Sequence, residues 1–138
     1  MKKYKRGYTT GVYDLFHIGH LNIFKGAKAQ CEYLIVGVTT DELSFQRKNK
    51  YPVINEKDRY EIVSSIKYVD EVVYQEDMNK IEAVKKLKAD VVFVGSDWKG
   101  HESWIRYEEE FKNIGVDVVY LDHTDGISST IIREKLNV

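Results

Sequence analysis

Gly11-Val12-Tyr13-Asp14-Leu15-Phe16-His17-Ile18-Gly19-His20 is the stretch from which the rest of the chain is read. Before it, Arg6–Thr10 carries Tyr8, Thr9 and Thr10, residues that favour a strand. After it, Leu21, Phe24, Ala27 and Cys31 recur three or four apart, the spacing of one buried helix face. Strand, glycine-punctuated turn and helix, in that order, is the unit with which an α/β sheet presents a phosphate-binding turn. His17 and His20 stand about one helical turn apart at the helix start, so both can face one ligand.

The same alternation continues. Tyr33–Thr40 is a nearly continuous apolar run rich in β-branched residues, as expected of a central parallel strand covered on both faces. Asp41–Asn55 lacks an amphipathic period; it reads as a helical turn and then a mobile basic loop bearing Arg47, Lys48 and Lys50 ahead of Pro52. Asn55 can cap a helix holding Tyr60, Ile62, Val63 and Ile66. Glu71–Tyr74 is a short strand, Lys80–Lys88 a helix, and Asp90–Gly95 a second buried strand. After a loop at Ser96–Gly100, Ser103 can cap a helix through Ile114. Val116–Leu121 is the last strand, and Ser128 or Ser129 caps a final helix with Ile131, Ile132 and Leu136. The expected architecture is one domain over residues 1–138, a Rossmann-like α/β open sandwich. About five parallel strands carry helices on both faces, and the order of the strands switches beside the first.

Composition narrows the function. With 43% apolar and 31% charged residues the 138-residue chain has the make-up of a globular domain. A formal charge of −1 disfavours nucleic acid as a main partner. The single cysteine, Cys31, excludes an internal disulfide and falls on the apolar helix face. No apolar run is long enough to span a membrane, and the basic segment 1–6 lacks a following signal-peptide apolar region. These features give the expectation of a cytoplasmic protein without membrane insertion.

Two turns carry the chemistry. At the first, a helix N-terminus offers free N–H groups and a positive dipole end, and imidazoles there can donate to phosphate oxygens. Zinc is the competing use of such histidines, but no third His or Cys stands nearby other than Cys31, so no metal ligand is assigned. At the second, Asp125-Gly126-Ile127-Ser128-Ser129-Thr130 places three hydroxyl residues after a glycine at a helix start, more than a cap needs. There is no Walker A loop and no Gly-x-Gly-x-x-Gly fingerprint. The basic Arg47–Lys50 segment follows the C-terminal end of a central strand, where open α/β sheets bind ligands.

Asp14-Leu15-Phe16-His17-Ile18-Gly19-His20 resembles the HxGH element of the nucleotidyltransferase superfamily. His123-Thr124-Asp125-Gly126-Ile127-Ser128-Ser129-Thr130 is similar to the Arg-Thr-Glu-Gly-Ile-Ser-Thr-Thr element of its cytidylyltransferase branch, and Gly95–Gly100 to its Gly-Asp-Asp-Trp loop. Over essentially the whole chain the sequence resembles the bacterial glycerol-3-phosphate cytidylyltransferase family. That resemblance implies transfer of CMP from CTP to a small phosphoalcohol, sn-glycerol 3-phosphate first among them, with release of pyrophosphate. CDP-glycerol would then feed a teichoic-acid or capsule-like polymer. It also implies Mg²⁺ accompanying CTP, with Asp14 as an indirect contact, and a homodimer.

Carried over, the resemblance places His17, His20, Lys48, Lys50, Ser128 and Thr130 in the catalytic set. Gly11, Val12, Tyr13, Asp14, Arg59, Asp97 and Trp98 join Thr124, Gly126, Ile127, Ser128, Ser129 and Thr130 around the nucleotide. Arg47, Lys50 and His123 are assigned to the acceptor. The chain departs from the family pattern in places: His123 and Lys67 replace arginines, Val12 replaces a threonine, and Arg47, Lys48 and Lys50 only approximate the lysine spacing. Histidine is shorter than arginine and titrates near neutrality, so the acceptor is where change is expected. The alternatives are phosphocholine, phosphoethanolamine or a sugar-alcohol phosphate as acceptor, or a nucleotide-binding module without turnover. A quaternary ammonium acceptor would want an aromatic cage, for which Tyr13, Trp98, Trp104 and Tyr107 are candidates.

Overall fold

A computed structural model describes residues 2–138; Met1, part of the basic opening segment, lies outside the described residues. Five parallel strands, β1 (Tyr4–Gly11), β2 (Cys31–Thr39), β3 (Glu71–Gln75), β4 (Val91–Gly95) and β5 (Asp117–Leu121), form one sheet. Its order is β3-β2-β1-β4-β5, so the chain reverses direction across the sheet between β1 and β4, as expected. The register defines the crevice there. β1 pairs with β2 as far as Gly11 but with β4 only at Gly7 and Tyr8. Beyond Tyr8 the ladder between β1 and β4 ends, which leaves room for a ligand at the strand ends.

Six helices follow the strands: α1 (Ile18–Lys28), α2 (Asp41–Lys48), α3 (Glu56–Ser64), α4 (Lys80–Leu87), α5 (Glu102–Asn113) and α6 (Ser129–Leu136). Strand alternation sorts the core into two layers. Leu34, Val36 and Val38 of β2, with Val91 and Phe93 of β4, pack against Phe24 and Ala27 of α1 and Val63 of α3. Ile35, Val92 and Val94 face the other side, against Val84 of α4 and Trp104 and Phe111 of α5. Cys31 is fully buried in the first layer, and burial raises its thiol pKa, in keeping with a packing role.

Several boundaries differ from expectation: β1 begins at Tyr4, and Cys31 opens β2 instead of continuing the buried face of α1, which ends at Lys28. Arg47 and Lys48 are not in a mobile loop: α2 runs through Lys48, opened by Thr40, whose side chain accepts from Leu43 N, and closed at Asn49 in the left-handed conformation (φ 56°). The helix hides in sequence because only Leu43 and Ser44 of it are buried. α5 is capped by His101 rather than Ser103, with the imidazole accepting from Ser103 N at 3.3 Å.

Candidate nucleotide site

His17 is the N-cap of α1 and its imidazole replaces the usual hydroxyl cap. Nδ1 accepts from Gly19 N at 3.0 Å, while His20 Nδ1 accepts from the His17 backbone N at 3.3 Å, a reciprocal capping box made of two histidines. A side chain at Gly19 would meet the His17 ring at 2.8 Å, which is why glycine stands between them. With both Nδ1 atoms accepting, each neutral ring carries its proton on Nε2, the atom left free to donate to a ligand. The rings stack with centroids 3.8 Å apart.

Burial, the neighbouring His17 and, in opposition, Asp14 set the His20 pKa, which is pushed down to about 3; burial lowers His17 as well. Both are therefore neutral donors at pH 7. The folded state holds fewer protons than the unfolded chain between about pH 3 and the ordinary histidine value of 6.5. Stability consequently rises with pH across that window and is lost as pH falls below 6.5. His20 is expected to account for ~1–2 kcal/mol of loss between pH 6.5 and 5. Urea midpoints at the two pH values should therefore differ less in His20→Asn than in the parent. An equal shift in both would remove His20 from that role.

Asp14 holds the turn together. Its carboxylate accepts from Val53 N at 2.8 Å and Ile54 N at 2.9 Å, and pairs with Arg133 of α6 at 2.6 Å. Tyr13 and Leu15 on either side have positive φ (56° and 51°), a conformation that costs a non-glycine residue of order 1 kcal/mol or more and needs such anchoring. Asp14 is 3% exposed and both its oxygens are engaged, which leaves room for the expected indirect contact to a metal ion but not for direct ligation. Among the described residues no group of three His, Cys, Asp or Glu is placed to hold one.

The second turn meets the first. Ser129 Oγ donates to the Asp14 carbonyl at 2.6 Å, Asn22 Nδ2 donates to Thr124 Oγ1 at 2.8 Å, and Ile127 packs beside Gly19. Gly126 takes φ 79°, which glycine adopts freely. The three hydroxyls divide their work. Ser128 caps α6 by accepting from Ile131 N, Ser129 ties the two turns, and Thr130 lines a cavity of about 270 Å³. That cavity also holds Asp14, His20, Lys48, Lys50 and Arg133. The hydroxyl of Ser129 is thus structural, contrary to expectation; its backbone N–H remains in the opening turn of α6.

Arg59 also departs from expectation. It is fully buried and every donor group is spent inside the protein: Nε on Ile54 O (2.8 Å), Nη1 on Val12 O and Thr39 O (both 2.7 Å), Nη2 on Asp41 (2.5 Å). It fastens the C-terminal ends of β1 and β2 to the start of α2 and cannot reach a nucleotide. Tyr13, likewise, turns its ring into the core against Phe24 and His20, which removes it from any aromatic cage. His123 is exposed beside Asp125 at 3.2 Å and lines neither cavity, and the other two residues expected at the acceptor are parted, Arg47 in the crevice wall and Lys50 with His20 and Arg133. Asp97 is exposed in a one-turn 3₁₀ segment, and Trp98 stands at the mouth of the crevice.

The crevice beyond Tyr8 is a cavity of about 300 Å³ whose walls include Thr10, Gly11, Val12, Arg47, Lys48 and Trp98. Lys48 lines both cavities and so joins them. Lys80, unremarked in the sequence, is here too: 8% exposed, it donates from Nζ to Thr10 Oγ1 at 2.9 Å. Burial first, and then Arg47, push its pKa down to about 8, which still leaves the ammonium largely charged at pH 7.

A crevice at the sheet's switch point, two histidines capping one helix and a basic rim make up an α/β site with the donors and charge that suit an anionic ligand. The family described as cytidylyltransferase-like matches residues 8–135. The chain is 37% identical over 133 residues to a protein named glycerol-3-phosphate cytidylyltransferase from Staphylococcus aureus, covering 96% of this chain and 95% of that one. It is 34% identical over 139 residues to an FAD synthase of Thermococcus sibiricus, covering 98% and 94%. The lipopolysaccharide core biosynthesis protein of Thermoplasma volcanium superposes with a TM-score of 0.73 at 26% identity, covering 88% and 97%. The chain belongs to the cytidylyltransferase-like family and is a nucleotidyltransferase-type enzyme. No helix of the described residues is long and apolar enough to cross a membrane.

Proposed function

We propose that this protein transfers CMP from CTP to a small phosphate monoester, with sn-glycerol 3-phosphate as the leading acceptor. The observation that carries the reading is the pair of cavities joined by Lys48, one beside His20, Thr130 and Arg133, the other holding Arg47 and Lys80. Nucleotidyl transfer needs two such places. The triphosphate occupies the first and the acceptor phosphate the second. An acceptor oxygen attacks the α-phosphorus as the bond to the β-phosphate oxygen breaks, and pyrophosphate leaves. The proposed Nε2–H donors of His17 and His20 stabilise the charge that moves onto the phosphate oxygens, and Lys48 offsets it between the two anions. Mg²⁺ is proposed to arrive with CTP and to screen its charge; the carboxylates of this chain form no cage for it, and no step is assigned to it.

A second reading, adenylyl transfer to a flavin phosphate, is favoured by the similarity to FAD synthase. A flat ring system stacks on an aromatic face, and in this crevice Lys80 lies over Trp104 and Tyr107, which leaves the exposed Trp98 at the mouth. Pyrophosphate release with CTP and ATP, each against glycerol 3-phosphate, sugar-alcohol phosphates and flavin mononucleotide, separates the two. CTP with a phosphoalcohol is expected to be the productive pair. ATP with flavin mononucleotide as the faster pair would replace the proposal with the second reading.

A further inference from the structure

The acceptor crevice has three cationic side chains in its wall, Arg47, Lys48 and Lys80, and not one carboxylate. Lys80 makes the balance unusual. Among the described residues it forms no salt bridge, and the one hydrogen bond of its side chain goes to the neutral Thr10 hydroxyl. Its ammonium lies 5.6 Å from the Trp104 ring centroid and 6.0 Å from that of Tyr107, in the position over two aromatic faces that a ligand cation would otherwise take. A buried cation compensated only by ring faces and a hydroxyl is costly to keep. The cost is offset when a dianionic phosphate enters.

We propose that Lys80, lodged against Trp104 and Tyr107, selects the acceptor by charge: it admits phosphate monoesters on uncharged or anionic carbon skeletons and rejects those bearing an ammonium or quaternary ammonium group. The inference rests on the second cavity being the acceptor site, as proposed above. A choline or ethanolamine head has two needs, an aromatic face or a carboxylate, and the crevice supplies neither. Lys80 lies over Trp104 and Tyr107, the rings of Tyr8, Phe93 and Phe111 are buried in the wall, Tyr13 is in the core, and the exposed Trp98 packs against His101 at 5.1 Å. Placing a second cation beside Lys80 and Arg47 adds like-charge repulsion in a partly desolvated space.

The test is calorimetric binding of glycerol 3-phosphate and phosphocholine to the full chain and to Lys80→Met, with α,β-methylene CTP present, alongside pyrophosphate release from CTP. Methionine keeps the length and packing of the stem while removing the charge. The parent is expected to prefer glycerol 3-phosphate on the order of 100-fold, and Lys80→Met to narrow that preference about 10-fold or more. The narrowing should come with phosphocholine binding retained or improved. Equal binding of the two ligands by the parent, or failure to bind either, overturns the proposal. So does a Lys80→Met variant that weakens both equally, because Lys80 would then grip the phosphate without discriminating. Selection in binding without pyrophosphate release leaves charge selection standing and refutes cytidylyl transfer instead.

Discussion

His17→Ala is expected to lower the maximal rate on the order of 100-fold or more, with a much smaller change in the dissociation constant for CTP. The reason is in the capping geometry. His17 Nδ1 is held by Gly19 N and its ring stacks on His20, so Nε2–H is fixed in place before a nucleotide arrives. A donor that need not reorganise contributes most where charge grows, which is on the way to the transition state rather than in the bound ground state. Alanine also removes a helix cap worth ~0.5–2 kcal/mol, so a loss of activity could reflect loss of fold. His17→Asn separates the two effects. Asparagine is a good cap but is too short to offer a donor where Nε2 stood, so stability should recover and the rate should not. Recovery of the rate in His17→Asn would reduce the imidazole to a structural part.

Arg59→Met is expected to destabilise the protein by ~3–5 kcal/mol, the largest stability effect of any single change proposed for the site. Removing the guanidinium orphans the carbonyls of Val12, Thr39 and Ile54 and leaves Asp41 without its 2.5 Å partner. Each buried acceptor left without a donor costs free energy of its own. Asp41 and Glu56 also cap one another's helices, with Asp41 N donating to Glu56 at 2.9 Å and Glu56 N to Asp41 at 3.3 Å, so the joint between α2 and α3 loosens with Arg59. Urea unfolding reads this as a lower midpoint at unchanged slope. A midpoint close to the parent's, combined with weakened CTP binding, would return Arg59 to the nucleotide.

The fold was legible because its signals are local. Apolar runs such as Leu34–Val38 and Val91–Val94 declare buried strands, and turn residues separate them from helices that repeat every three or four positions. The two phosphate turns were legible for the same reason. Arg59, Asp14 and Lys80 were not. The environment of Arg59 is assembled from Val12, Thr39 and Ile54, and nothing about an arginine at the fourth position of a helix announces that it is fully buried. Lys80 begins a helix whose other lysines are solvent-facing, and its partners lie 70 residues away at Thr10 and on α5 at Trp104 and Tyr107. His123 failed in the opposite direction. Its place in a motif suggested a contact with the acceptor, but it stands exposed beside Asp125, outside both cavities.

Phosphorus NMR of the full chain mixed with CTP, Mg²⁺ and glycerol 3-phosphate tests cytidylyl transfer most directly, since it observes the bonds themselves. The CTP and phosphomonoester resonances are expected to decline together, replaced by a diphosphate-ester pair and by pyrophosphate in equal amount. Unchanged CTP resonances, or release of orthophosphate without a new diphosphate linkage, would contradict transfer of CMP to the acceptor.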